Sequence, residues 1–167
     1  MNDQQTRPTP EEIQHTIDQL RTQVDELEKL IGQIMVPIIP SIMPDTILVP
    51  FAGELTPELS KKVVTKVLDH VSMTGTQTAI LDFTALSIKQ TESLSVFGNS
   101  VEELSASLSL MGIEVITVGF TPQFAREVAL SGLPFVNKLK SFSTFRAALQ
   151  HLMKLRGMEL TEDNGKN

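Results

Sequence analysis

The chain has 167 residues, of which 41% are hydrophobic and 20% charged, with a formal net charge of −6 at pH 7. That length fits one compact domain plus an appendage, and the acidity argues against a grip on nucleic-acid phosphates, which needs clustered Lys and Arg. The absence of Cys excludes a disulfide framework, thiolate chemistry and Cys-ligated zinc, while the absence of Trp and Tyr removes the commonest stacking platforms.

No apolar run is long enough to cross a membrane. The opening Met1-Asn2-Asp3-Gln4-Gln5 has neither the basic nor the apolar region of a signal peptide. A cytoplasmic protein engaging neither nucleic acid nor membrane is expected. Residues 1–8 are polar and expected to be disordered. Thr9-Pro10-Glu11-Glu12 then opens a helix, with Thr9 as N-cap, Pro10 at the first helical position and Glu12 closing a capping box. Behind it Ile13, Ile17, Leu20, Val24, Leu27, Ile31 and Ile34 alternate spacings of four and three. In heptad terms Ile17, Val24 and Ile31 are a positions; Ile13, Leu20, Leu27 and Ile34 are d positions. β-Branched residues at a with mostly Leu at d favour a parallel two-stranded coiled coil, so this seam is the expected homodimer interface. The other reading is a helix folded back on its own domain, which ordinarily shows a wider apolar stripe.

Pro37, Pro40, Pro44 and Pro50 punctuate the next section and confine Val36–Ile39 to an edge-like strand. Thr46–Phe51 reads as a second strand, too closely linked to the first for a crossover, so the pair should be antiparallel. Thr56-Pro57-Glu58 starts a helix with Leu59, Val63, Val64, Val67, Leu68 and Val71 as its stripe, closed by Gly75. Ala79–Phe83 is a buried strand, and a connection Thr84–Gln90 leads to a helix from Thr91 to about Met111. Ile113–Phe120 is a strand and Thr121–Leu130 a helix ended by Gly132. A short strand is expected at Asn137–Leu139, and Ser143 or Thr144 caps a last helix to about Arg156. Strands alternating with helices imply an α/β layer fold with a mixed sheet and helices on its faces. The expected division is a coiled-coil-like helix over 9–35, a domain over 36–157 and a disordered tail over 158–167.

Catalytic patterns are absent. His15, His70 and His151 fall on three different predicted helices, without chelating spacing. There is no Gly-x-Ser-x-Gly elbow, no phosphate-cradling Gly-rich loop and no Gly-x-Gly-x-x-Gly. No enzyme activity, metal or cofactor is expected. Asp82, at a strand's C-terminal end, is a catalytic candidate only in isolation; orienting the next turn through Thr84 is the simpler role. Thr56, Thr91 and Thr121 stand at predicted helix N-termini, where a hydroxyl caps the helix. The same geometry suits a phosphate, because free N–H groups and the helix dipole favour an anion. The helix from Thr91 carries Ser93, Ser95, Asn99, Ser100, Ser105, Ser107 and Ser109, read as an exposed polar face.

Several of these segments together resemble a known family. They are Pro37-Ile38-Ile39-Pro40, Ile47-Leu48-Val49-Pro50 with Gly53 before Thr56, Ile80-Leu81-Asp82-Phe83-Thr84, Thr91 at a helix start and Leu110-Met111-Gly112-Ile113-Glu114-Val115. Gly119-Phe120-Thr121-Pro122-Gln123-Phe124-Ala125 and Leu130-Ser131-Gly132-Leu133 complete the set. Over Val36–Leu155 the chain resembles a STAS domain, specifically the C-terminal domain of the RsbR-type proteins of the bacterial stressosome. The resemblance implies a non-enzymatic scaffold that co-assembles with RsbS-like and RsbR-like STAS proteins. It also implies binding and release of a serine/threonine kinase of the RsbT type, which ultimately frees an alternative sigma factor. By position Thr56 and Thr91 match the family's phosphorylatable threonines. The family places an Asp before each; here Leu55 and Gln90 stand there, with Pro57 after Thr56 and Lys89 nearby. The family's N-terminal sensor has no counterpart in residues 1–35, where the seam helix takes the linker's place. The alternative within the same fold is an anti-sigma factor antagonist acting as a free STAS protein.

Overall fold

The structure, a computed structural model, describes residues 8–35, 37–87, 91–132 and 138–158, without the side chains of 31–35 and 91–93. The predicted disordered segments lie almost wholly outside these residues. The chain divides into two compact units, residues 1–34 and 35–167.

In the first unit, α1 (Pro10–Met35) starts as its residues dictate. Thr9 N donates to Glu12 Oε2 at 2.8 Å and Glu12 N donates to Thr9 Oγ1 at 3.3 Å, the reciprocal pair of a capping box. Ile13, Ile17, Leu20, Val24 and Leu27 are all exposed. Ile31 and Ile34 fall where side chains are not described.

The second unit is a five-stranded sheet in the order β1-β2-β3-β4-β5. The strands are β1 (Ile39–Pro40), β2 (Thr46–Glu54), β3 (Thr78–Ser87), β4 (Glu114–Val118) and β5 (Lys140–Phe142). β1 runs antiparallel to β2 and the other pairs are parallel, so the sheet is mixed as expected. Between and after them lie α2 (Pro57–Met73), α3 (Thr91–Leu110), α4 (Pro122–Leu130) and α5 (Phe145–Leu155). Strand alternation sorts the core into two layers. Ile47, Val49, Phe51, Ala79, Leu81 and Phe83 face α2 and α3 with Val63, Val67, Phe97, Val101 and Leu104. Ile80, Ile116 and Val118 face the other way, onto Met43 and the α5 residues Ala148 and Leu152. Such two-sided burial explains why the central strands read as continuous apolar runs.

Three expectations about strands change. Among the described residues, pairing at β1 joins Ile39 with Leu48 and Pro40 with Ile47, so the edge strand expected over Val36–Ile39 starts later and runs one residue further; residue 36 lies outside the described residues, and Pro37 has no N–H to offer an edge ladder. The short strand expected at Asn137–Leu139 is instead Lys140–Phe142, fixed by pairing of Lys140, Ser141 and Phe142 with Ile116, Thr117 and Val118; residue 137 lies outside the described residues. β3 does not stop at Phe83. Pro50 pairs with Asp82 and Ala52 with Ala85, so Phe83 and Thr84 together oppose Phe51, a bulge beyond which pairing resumes to Ser87. The bulge breaks the alternation that a sequence reading follows, and the strand runs on past it.

Candidate functional site

Because β2 to β5 are parallel and each is followed by its helix, every one of those helices starts at the same edge of the sheet. Threonines stand at each start. Thr56 Oγ1 accepts from Leu59 N at 3.2 Å, Thr121 Oγ1 from Phe124 N at 3.1 Å and Thr144 Oγ1 from Ala147 N at 3.2 Å. Each bond satisfies one of the amide donors that a helix N-terminus leaves free. Pro57 and Pro122 stand in the first turn, where an N–H would have no acceptor within the helix. Thr91 begins α3 at the same edge, and its side chain lies outside the described ones.

The turn into α2 is held from below. Leu55 is only 5% exposed and joins the core of the α2–α3 face, so the residue before Thr56 is a packing anchor. Thr56 itself is exposed. One turn on, Ser60 is buried and its hydroxyl meets the Ser100 hydroxyl of α3, while Ser100 Oγ donates to Val96 O at 2.6 Å. Ser100 therefore does not belong to the exposed polar face expected of α3; Ser95, Asn99 and Ser109 do. The signal for Ser60 lies in its spacing with Val64, Val67 and Val71, which puts it on the buried stripe.

At the centre of the edge is the β3 bulge. Asp82 Oδ1 accepts from Thr84 N at 2.9 Å and from Thr84 Oγ1 at 2.6 Å, which satisfies an amide the bulge takes out of the ladder. This is the turn-orienting role anticipated for Asp82, and it leaves Oδ1 committed. Gly119, just after β4, has φ +84°, and a Cβ there would collide with Thr84 Oγ1, Thr84 N and Asp82 Oδ1. Glycine is required here both for the backbone conformation and for the close approach. Beneath the bulge Phe83 packs against Phe51, Phe97 and Phe120 at centroid distances of 4.9, 5.0 and 5.2 Å. Phe124 extends the cluster, 5.2 Å from Phe97 and 5.5 Å from Phe120. A shallow cleft of about 190 Å³ opens beside it, between Thr84, Gly119, Thr121 and Phe124.

These residues supply hydroxyls on rigid caps and a braced turn. His15, His70 and His151 fall on α1, α2 and α5. Among the described residues no group of three or more His, Cys, Asp or Glu is placed to hold a metal ion, and no helix is long and apolar enough to cross a membrane.

No protein-family model matches the sequence, and no curated protein matches it. Solved structures do. A variant of RsbS from Moorella thermoacetica superposes with a TM-score of 0.60 at 19% identity, covering 74% of this chain and 98% of that one. The domain has a STAS fold. A chain from the molecular architecture of the stressosome, a signal integration and transduction hub, matches at TM-score 0.57 and 17% identity, over 73% of this chain and 100% of its own. The anti-sigma factor antagonist SpoIIAA in its unphosphorylated form matches at TM-score 0.50 and 18% identity, over 75% and 99%. On this STAS fold Thr56 and Thr91 both lie at the edge where the parallel strands end.

Proposed function

We propose that the chain is a non-enzymatic, cytoplasmic STAS scaffold of the RsbR-like kind, dimeric through α1. It co-assembles with RsbS-like and RsbR-like STAS proteins. The assembly binds and releases a serine/threonine kinase of the RsbT type in a partner-switching stress response that controls an alternative sigma factor. The observation that carries this reading is the exposed Thr56 hydroxyl, on a capped helix start held rigidly by Leu55 and by the Ser60–Ser100 contact. A phosphate there adds about −1.5 to −2 charges where the helix dipole tolerates an anion, so the domain stays folded while its partner meets a changed surface. Thr91 is the second switch position. Leu55 and Gln90 stand where the family pattern has acids, so a kinase would meet an apolar and an amide neighbour at the two threonines.

The likeness to SpoIIAA favours a second reading, a free anti-sigma factor antagonist. One experiment separates them: affinity capture of the chain before and after stress, with mass spectrometry of partners and of Thr56 and Thr91. Recovery of STAS proteins with a kinase that leaves on stress supports the scaffold. Recovery of an anti-sigma factor alone overturns it in favour of the antagonist.

A further inference from the structure

Thr56 and Thr91 are tied to each other twice, once before the helices they open and once after. Before them, β2 and β3 stay paired past the bulge, Gly53 with Leu86 and Glu54 with Ser87, so the strands leading to both threonines are held in register. After them, Ser60 of α2 meets Ser100 of α3 inside a core of Val63, Val64, Val67, Phe97, Val101 and Leu104. A hydroxyl carries one proton. Ser100 Oγ gives its proton to Val96 O at 2.6 Å, so Ser60 is the donor in the Ser60–Ser100 pair. Ser60 N in turn donates to Thr56 O at 2.8 Å. One residue therefore holds the carbonyl of Thr56 with its amide and the neighbouring helix with its hydroxyl. Packing does not ask for this pair. Two alanines would fill similar space without desolvating two hydroxyls, but an apolar contact can slide where a hydrogen bond fixes one register.

We propose, on the reading of Thr56 and Thr91 as switch positions, that Ser60 and Ser100 are positioning residues that couple the two. An anion at Thr56 thereby alters the helix that Thr91 opens. The element with two arrangements is the Ser60 hydroxyl. It has two acceptors to choose between: Ser100 Oγ across the interface, and Thr56 O one turn back in its own helix. The second is the kind of bond that Ser100 makes to Val96 O. In the unmodified chain the hydroxyl points across to α3. A phosphate on Thr56 draws the free N–H groups of the first turn to its own oxygens, and that turn re-aims Ser60 with it. The Ser60 hydroxyl then turns back to Thr56 O. Ser100 Oγ loses its donor inside the core, and α3 loosens around it.

Hydrogen exchange of the purified full chain, with no kinase present, tests the coupling. Thr56→Glu supplies the anion and should speed exchange over residues 96–104 about fivefold, the low end of ordinary coupling between sites, while α5 stays as it was. The same change made in Ser60→Ala with Ser100→Ala should leave residues 96–104 untouched. That double variant replaces both partners at once, so it leaves no buried hydroxyl unpaired and stays folded by circular dichroism. A purely structural pair would move stability alone and could not remove the response to position 56. Exchange in α3 that ignores Thr56→Glu, that rises equally in the double-alanine chain, or that rises together with α5 overturns the coupling. If the coupling holds but capture from stressed and unstressed cells recovers no kinase, the proposed function is overturned instead.

Discussion

Helices α1 and α2 both open on a Thr-Pro cap and both repeat apolar residues at spacings of three and four. In α2 the stripe is inside: Val63, Val64, Val67 and Val71 are between 0 and 6% exposed. In α1 the equivalent stripe is outside, with Ile13, Ile17, Leu20, Val24 and Leu27 between 37 and 57% exposed. Periodicity thus identifies a face that needs covering and leaves open what covers it. For α2 the cover is the sheet of its own domain. For α1 the a/d spacing is the pattern of a coiled-coil seam, and under the proposed reading its cover is a second copy of the same helix.

The sharpest way to break this contrast is to charge the α1 seam. Leu20→Asp with Leu27→Asp should weaken self-association at least about a hundredfold, as each buried Leu contributes about 1.5–3 kcal/mol. The domain's melting temperature should stay where it is; light scattering and calorimetry read the two quantities separately. Truncation on the α2–α3 side should do the opposite. Phe97→Ala removes a fully buried ring and should cost about 3–5 kcal/mol in urea denaturation, leaving α1 helicity in place.

Smaller changes test the edge between these extremes. Gly119→Ala should cost more than about 1 kcal/mol, because the left-handed backbone and the Asp82–Thr84 pair both resist a methyl group. Denaturation that shows no loss would mean the turn is not braced as described. Thr56→Ala should cost about 1 kcal/mol through the lost cap, and Thr56→Ser should restore it. If kinase binding in a reconstituted complex changes with Thr56→Ala but not with Thr56→Ser, the hydroxyl serves the switch as well as the helix.

Much of the domain was legible from the chain because its signals are local. Thr9, Thr56, Thr121 and Thr144 mark helix starts by hydrogen bonds spanning three residues, and the runs at Ile47–Val49 and Ala79–Phe83 mark strands buried on both faces. The misreadings share one cause, pairing between distant residues. β5 is a strand because β4 lies beside it, since Lys140-Ser141-Phe142 has little apolar pattern of its own. β3 continues past Thr84 because β2 re-registers around Phe51. Ser100 looked solvated because its partner Ser60 is forty positions away in sequence. The site was legible in the same uneven way. Thr56 and Asp82 carry local signals, whereas the roles of Leu55 and Gly119 appear only when the strands are in place.

The sequence by itself determined the alternation of strands and helices, the cap at each helix start and the seam of α1, because these follow from residue type and short-range periodicity. Only the tertiary structure decided that the threonine caps share one edge and that the helix ends gather at the other. Both follow from the parallel order of β2 to β5, which is a property of long-range pairing and not of any one segment.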